Sequence, residues 1–253
     1  MTATTHDFAV RALEPFPTIT EGDPLADVIA DVLASSEQHL TAGDIVVVAS
    51  KVVSLAERRK VEFSEVTPSE QARELAQATG KPAEAIQVIL DESVDHRLAT
   101  STGPIIARHR LGYELTSAGV DRDREAACAW LLPADPDASA RRLRDELTRA
   151  TGIDDLAVVI ADSDGRPDRR GATVLALGAA GIHPLRITEH RGQHQEETLV
   201  DMVAAAAGMV LGQRGRGAPV ALISGVAFDR SDAGVAAMLR HELGRTALKH
   251  MPG

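Results

Sequence analysis

"LAVVIADSDGRPDRRGATVLALGAAG", residues 156–181, sets two apolar runs around a polar centre. "LAVVIADS" and "TVLALGAAG" read as strands, because a short apolar run that contains β-branched residues suits a buried strand. The stretch between them holds Asp162, Ser163, Asp164 and Asp168, with Arg166, Arg169 and Arg170, around Gly165 and Gly171. Two readings compete. One is an ordinary charged turn. The other is a metal and phosphate site, in which carboxylate and hydroxyl oxygens offer the hard ligands that Mg²⁺ or Mn²⁺ prefer. The three guanidinium groups would then fork onto phosphate or carboxylate oxygens, and the two glycines would let backbone approach a ligand.

Outward from this segment, strand and helix signals alternate. Residues 8–13, "FAVRAL", read as a short strand. Leu25, Val28, Ile29, Val32 and Leu33 fall on one helical stripe, with Asp23 as the expected N-cap and Pro24 in the first turn. "DIVVVASKVVSLA", residues 44–56, reads as one buried strand. Residues 68–79 and 82–92 read as helices separated at Gly80 and Pro82. "PIIARHRLGYELTSAG", residues 104–119, reads as a hairpin with Gly112 near its turn. "DPDASARRLRDELTRATG", residues 135–152, has helix start and stop signals at its two ends. Helices are expected at 197–211 and 231–249, and a strand in "PVALISGVAF", residues 219–228. The fold class is α+β, with mixed sheets and packed helices. Neither G-x-G-x-x-G nor the P-loop pattern occurs, which disfavours a plain doubly wound nucleotide fold. "GAAG" at 178–181 marks close backbone packing rather than a phosphate loop.

Composition excludes several functions. The 253 residues carry a formal net charge of −10 and only 2 % aromatics. The scarcity of aromatics argues against stacking on single-stranded nucleic acid, and the charge argues against nucleic acid and anionic membranes as partners. An anionic small substrate remains open if the site supplies local cations. The N-terminus lacks a secretory signal pattern, and the longest apolar stretch, "MVAAAAGMVLG", is too short to span a bilayer. Cys128 is the single cysteine, so no internal disulfide or cysteine-based zinc site forms, and a reducing cytoplasm is the expected location. Cys128 itself reads as a packing residue.

Three places put polar residues at the end of an apolar run: Ser50 and Lys51, Asp121 in "TSAGVDR", and Asp162 with Ser163. Each has a bland alternative. Lys51 would point outward from an edge strand, and Asp121 would sit in a structural turn. Together the three suggest a nucleotide and metal site built from separate strand ends. His190 and His194 in "EHRGQHQEE" are spaced to share a helix face, but there is no H-E-x-x-H and no third imidazole nearby, so zinc is disfavoured.

"GDIVVVASKVVSLAE", "TSAGVDR", "LLPADPDASARRLRDEL", "ADSDGRPDRRGATVLALGAAGI" and "MVLGQRGRGAPVALISG" occur in the order seen in the coenzyme F-420-0:L-glutamate ligases, the gamma-glutamyl ligase family. The chain resembles that family from about residue 14 to residue 226. The resemblance implies a gamma-glutamyl ligase-like fold in a single domain over 1–253, without a C-terminal nitroreductase-like extension, in an intertwined homodimer. It also implies a GTP- and metal-dependent ligase that activates a carboxylate as an acyl phosphate for attack by the amine of L-glutamate.

Position by position, the resemblance assigns Asp121 and Asp162 to catalysis and to Mg²⁺ or Mn²⁺, with Ser163 and Gln213 completing the second metal site. Nucleotide contacts fall to Phe16, Pro17 and Thr18 in "EPFPT", to Ser50 and Lys51, and to Arg124 and Gln213. Arg166 is expected at the reacting groups, and Arg169 and Arg170 at the substrate. The departures are specific. The family's second lysine, four residues after the first, is Leu55 here. Its asparagine is Arg124, its aromatic residues near the arginines are Asp164 and Asp168, and its segment around 190–200 is shorter here. Such changes suit altered substrates with retained chemistry. The alternatives are a relative joining a different carboxylate and amine, and a non-catalytic nucleotide- or metabolite-binding protein.

Overall fold

A computed structural model of the protein describes residues 7–123, 125–212 and 217–240. The architecture is α+β. The principal sheet has five strands in the order β1 (Ala9–Ala12), β13 (Val220–Ser224), β2 (Asp44–Ala49), β9 (Leu156–Arg166) and β10 (Arg169–Ala180). The central pair β2 and β9 runs parallel, and the other pairs are antiparallel.

Both faces of this sheet are covered, which is why its central strands read as unbroken apolar runs rather than alternating ones. Strand alternation sends Ile45, Val47, Ala157 and Val159 into one core. That core includes Leu199, Val203 and Ala207 of helix α6 (Leu199–Gly208). Val46, Val48, Val158 and Ile160 enter the other core. There they meet helix α1 (Leu25–Ser35) through Ile29 and Leu33, and helix α5 (Pro136–Thr151) through Leu143 and Leu147.

Two contacts lock α5 to the sheet. A Cβ on Gly178 would lie 2.2 Å from the Pro136 carbonyl oxygen, so only glycine admits the helix N-terminus this close. The buried carboxylate of Asp137 accepts from the amides of Ala179, Val235 and Ala236 at 2.8–2.9 Å. Burial raises the pKa of Asp137, and those three amides oppose the rise.

A third core packs helices α3 (Glu70–Thr79) and α4 (Ala83–Asp91) on β5 (Ile105–His109), the strand that forms a hairpin with β6 (Glu114–Thr116). Strand β4 (Ser93–Leu98) extends that hairpin into a small sheet. A second small sheet orders β3 (Lys60–Glu62), β8 (Cys128–Trp130) and β7 (Asp121–Asp123). Strands β11 (Leu185–His190) and β12 (Gln193–Thr198) form a separate two-stranded ribbon. His190 and His194 therefore lie on strands joined by a tight turn, and their four-residue spacing gives no shared helix face. Cys128 is buried. Among the described residues no helix is long and apolar enough to cross a membrane.

Several expectations change. Residues 44–56 are not one strand. The chain leaves the sheet after Ala49 and forms helix α2 (Ser50–Ala56). Val52, Val53 and Ala56 recur at helical spacing too, and the short apolar run left the two periods indistinguishable. Asp23 does not cap α1. Its carboxylate instead accepts from the Thr20 amide and hydroxyl, and Pro24 holds the cap position without a side-chain bond. The terminal helix expected at 231–249 is absent where the chain is described: residues 231–240 contain only a short 3₁₀ turn, Val235–Met238. Its remainder lies outside the described residues.

Candidate active site

The site begins where β2 and β9 end side by side. Their parallel register pairs Ala49 with Ala161, so the next residues, Ser50 and Asp162, are neighbours by construction. The Ser50 hydroxyl donates to Asp162 Oδ1 at 2.7 Å. The change from strand to helix at Ser50 also turns Lys51 away from the sheet. Its ammonium reaches Asp121 Oδ2 at 2.7 Å.

Asp121 arrives from a different core. Between β6 and β7 the chain passes through three left-handed residues, Ser117 (φ 54°), Ala118 (φ 53°) and Gly119 (φ 68°). Left-handed backbone is unfavourable for non-glycine residues and persists only where surroundings impose it. Here Ala118 is buried in the third core, and a Cβ on Gly119 would lie 2.8 Å from Leu132. Lys81 Nζ also donates to the Ser117 hydroxyl at 2.8 Å. The turn delivers Asp121 opposite Trp130, its register partner across β7 and β8.

Asp164 ties the two halves together. Two residues beyond Asp162 on the same strand, it is buried and accepts from the Thr116 amide at 2.7 Å. Gly165 packs against the same threonine, since a Cβ there would come within 2.9 Å of Thr116 Oγ1. The glycine expected to admit a ligand therefore admits Thr116 instead.

These elements enclose a cavity of about 660 Å³. Phe16, Pro17, Thr18, Ser50, Lys51, Asp121, Asp162 and Ser163 all border it, as does Leu55. The structure thus gathers into one place eight residues picked out along the chain between positions 16 and 163. Arg166, Arg169 and Arg170 do not border it. They lie at the tip of the β9–β10 hairpin, where Arg169 pairs with Asp168 at 2.8 Å and Arg166 approaches Asp168 at 3.9 Å. The charged-turn reading describes 166–170, and the site reading describes 162–163. Arg124 and Gln213 lie outside the described residues, although Gly212 and Gly217, which flank 213–216, border the cavity. Thr116, Trp130 and Leu132 also border it and escaped the sequence reading. The signal for Trp130 was its being the only tryptophan, but its pairing with Asp121 needed the fold.

Burial pushes the Asp162 carboxyl up to about 7. The Ser50 hydroxyl and the Ser163 amide pull it down, while Asp164 and Asp121 push it further up. Burial also raises Asp164. Asp121 and Asp162 are thus two carboxylates close enough to repel, facing one cavity with hydroxyls beside them. Ionised carboxylates held together in this way favour a bound cation. Hard oxygen donors suit Mg²⁺ or Mn²⁺ better than softer metals; the two carboxylates and the Ser163 hydroxyl are donors of that kind, although among the described residues no three His, Cys, Asp or Glu side chains group to hold an ion.

The model of the F420-0:gamma-glutamyl ligase family matches residues 15–225. Among curated proteins, the chain is 36 % identical over 240 residues to the coenzyme F420:L-glutamate ligase of Methanothermobacter thermautotrophicus, covering 90 % of this chain and 94 % of that protein. It is 35 % identical over 225 residues to the protein of the same name from Archaeoglobus fulgidus, covering 86 % and 87 %. A third, from Methanopyrus kandleri, is 36 % identical over 229 residues, covering 85 % and 86 %.

Proposed function

The chain belongs to the F420-0:gamma-glutamyl ligase family, and from that premise we propose that it is a nucleotide- and metal-dependent amide-bond ligase. It adds L-glutamate to a coenzyme F420 precursor. The observation that carries the reading is the convergence of Ser50, Lys51, Asp121, Asp162 and Ser163 on one cavity.

In this reading a substrate carboxylate takes the terminal phosphoryl group of GTP, releasing the nucleoside diphosphate. The amine of L-glutamate then adds to the acyl phosphate, and phosphate and one proton leave as the amide forms. Lys51 and the hydroxyls of Ser50 and Ser163 orient phosphoryl oxygens, which is the main task of a protein in phosphoryl transfer. Phe16, Leu55, Trp130 and Leu132 form an apolar wall that keeps water from the activated acyl group. Asp121 and Asp162, with Ser163, are the groups that would hold Mg²⁺ or Mn²⁺. Such an ion, when bound, supplies charge neutralisation for the polyphosphate.

The reading includes a homodimer, supported by the exposure of β12 along its whole length. An uncovered two-stranded ribbon is marginal alone, and a second copy would cover it. It also places the enzyme in the cytoplasm, as its single buried cysteine suggests.

The test is incubation of the purified protein with GTP or ATP, Mg²⁺ or Mn²⁺, L-glutamate and F420-0, followed by product mass. A mass gain of one glutamyl residue is expected. Leu55, in place of the family's lysine, favours one competing reading: the same chemistry on another carboxylate and amine. Nucleotide binding without glutamylated product would establish it. No nucleotide binding at all would sink both and leave a non-catalytic protein.

A further inference from the structure

Among the described residues bordering the cavity, Lys51 is the one cationic side chain, and it shares that lining with two carboxylates, Asp121 and Asp162. Its ammonium is placed on Asp121 at 2.7 Å, with 50 % of the lysine and 51 % of the aspartate side chain exposed. An ion pair this open to water is weak. A lysine is a compact point charge on a flexible stem, so its head can move several ångströms while its backbone stays fixed. The backbone here is the first turn of α2. One turn further on, the same helix face presents Leu55, so α2 offers no second cation to share the work.

We propose that Lys51 competes with a divalent cation for Asp121, and that arrival of the cation hands the ammonium over to an anionic group bound in the same cavity. Metal binding and anion binding are then coupled through one side chain. The metal relieves Asp121 of its lysine, and the released lysine strengthens the hold on phosphoryl or carboxylate oxygens. By linkage the anion must strengthen metal binding to the same degree. The inference rests on the metal- and nucleotide-dependent reading above and adds an exchange of partners at Asp121.

The experiment is titration of the nucleotide-free protein with Mn²⁺, followed by electron paramagnetic resonance of the free ion. Lys51→Met removes the charge and keeps the length. It is expected to bind Mn²⁺ about two- to fivefold more tightly than wild type, the range an exposed ion pair can supply. Lys51→Arg keeps a competing cation and is expected to stay near wild type. Lys60→Met is the control for general charge, since Lys60 pairs with Glu62 at 2.5 Å and is expected to have no effect beyond twofold. Asp121→Asn is expected to weaken Mn²⁺ binding. Combined with Lys51→Met, it is expected to erase the gain that the lysine substitution gives alone. Unchanged or weaker binding by Lys51→Met, with Asp121-dependent binding intact, overturns the exchange. So does an equal gain in Lys60→Met. Absence of Mn²⁺ binding from every variant overturns the metal reading itself, and the inference with it.

Discussion

The Ser50 hydroxyl donates to Asp162 Oδ1 at 2.7 Å across the ends of two parallel strands. It stabilises a carboxylate that burial and the nearby Asp164 and Asp121 disfavour, leaving the Asp162 pKa at about 7. A carboxyl whose folded pKa exceeds its unfolded value stabilises the fold in acid and loses that contribution as pH rises through the folded value. Asp162→Asn, measured by urea denaturation in EDTA, is therefore expected to be more stable than wild type at pH 8. The advantage has a ceiling of about 4 kcal/mol, lowered by the solvent contact that Asp162 retains. It should shrink steadily as pH falls from 7 towards 4. A pH-independent difference would contradict this account. Mn²⁺ affinity of the wild type should rise between pH 6 and 8 for the same reason.

Trp130 is the only tryptophan, borders the cavity and stands in register with Asp121. Indole emission therefore reports on this cavity alone. GTP with Mg²⁺ is expected to quench or shift it, and Trp130→Phe to abolish the signal. Calorimetric binding of nucleotide with emission unchanged would place the nucleotide elsewhere.

Asp164 holds the Thr116 amide at 2.7 Å in a buried setting. Asp164→Ala leaves that donor unpaired, at about 1–3 kcal/mol. Because Thr116 begins the turn that delivers Asp121, Mn²⁺ affinity should fall as well. Asp164→Asn keeps an acceptor and should stay closer to wild type in both measurements. Equal loss in the two variants would mean that the carboxylate charge, not the hydrogen bond, matters.

Leu55 borders the cavity one helical turn beyond Lys51. Leu55→Lys adds a cation to the face that bears Lys51, and triphosphate affinity is expected to rise several-fold, with a stronger salt dependence. Flat affinity in a titration at two ionic strengths would mean that phosphates do not reach this turn. Leu55 also packs against the core that holds α1 and α5, so a modest loss of thermal stability should accompany the gain.

Local chemistry made much of the fold legible. Asp135 and Gly152 bound α5 as expected: the aspartate accepts from the Ala138 amide at 2.9 Å, and the glycine takes a left-handed φ of 74°. Gly112, at φ 96°, turns the β5–β6 hairpin. Such signals depend on a residue and its near neighbours in the chain. The end of β2 did not, because Val52 and Val53 suit strand or helix alike, and burial beside the sheet decided for helix. The cap of α1 failed similarly, since Asp23 found a closer partner in Thr20.

Reading along the chain finds which polar residues stand at the ends of apolar runs: Ser50 with Lys51, Asp121, and Asp162 with Ser163. Their types and order also carried the family resemblance. Which of them meet depends on the folded arrangement. Asp162 and Arg166 are four residues apart in the chain, yet one borders the cavity and the other sits at a hairpin tip with Asp168. Lys51 and Asp121 are seventy residues apart and in contact. The reason is that electrostatic interaction depends on distance and burial in space, and those follow from strand register and from the left-handed turn at 117–119, which no short window of sequence contains.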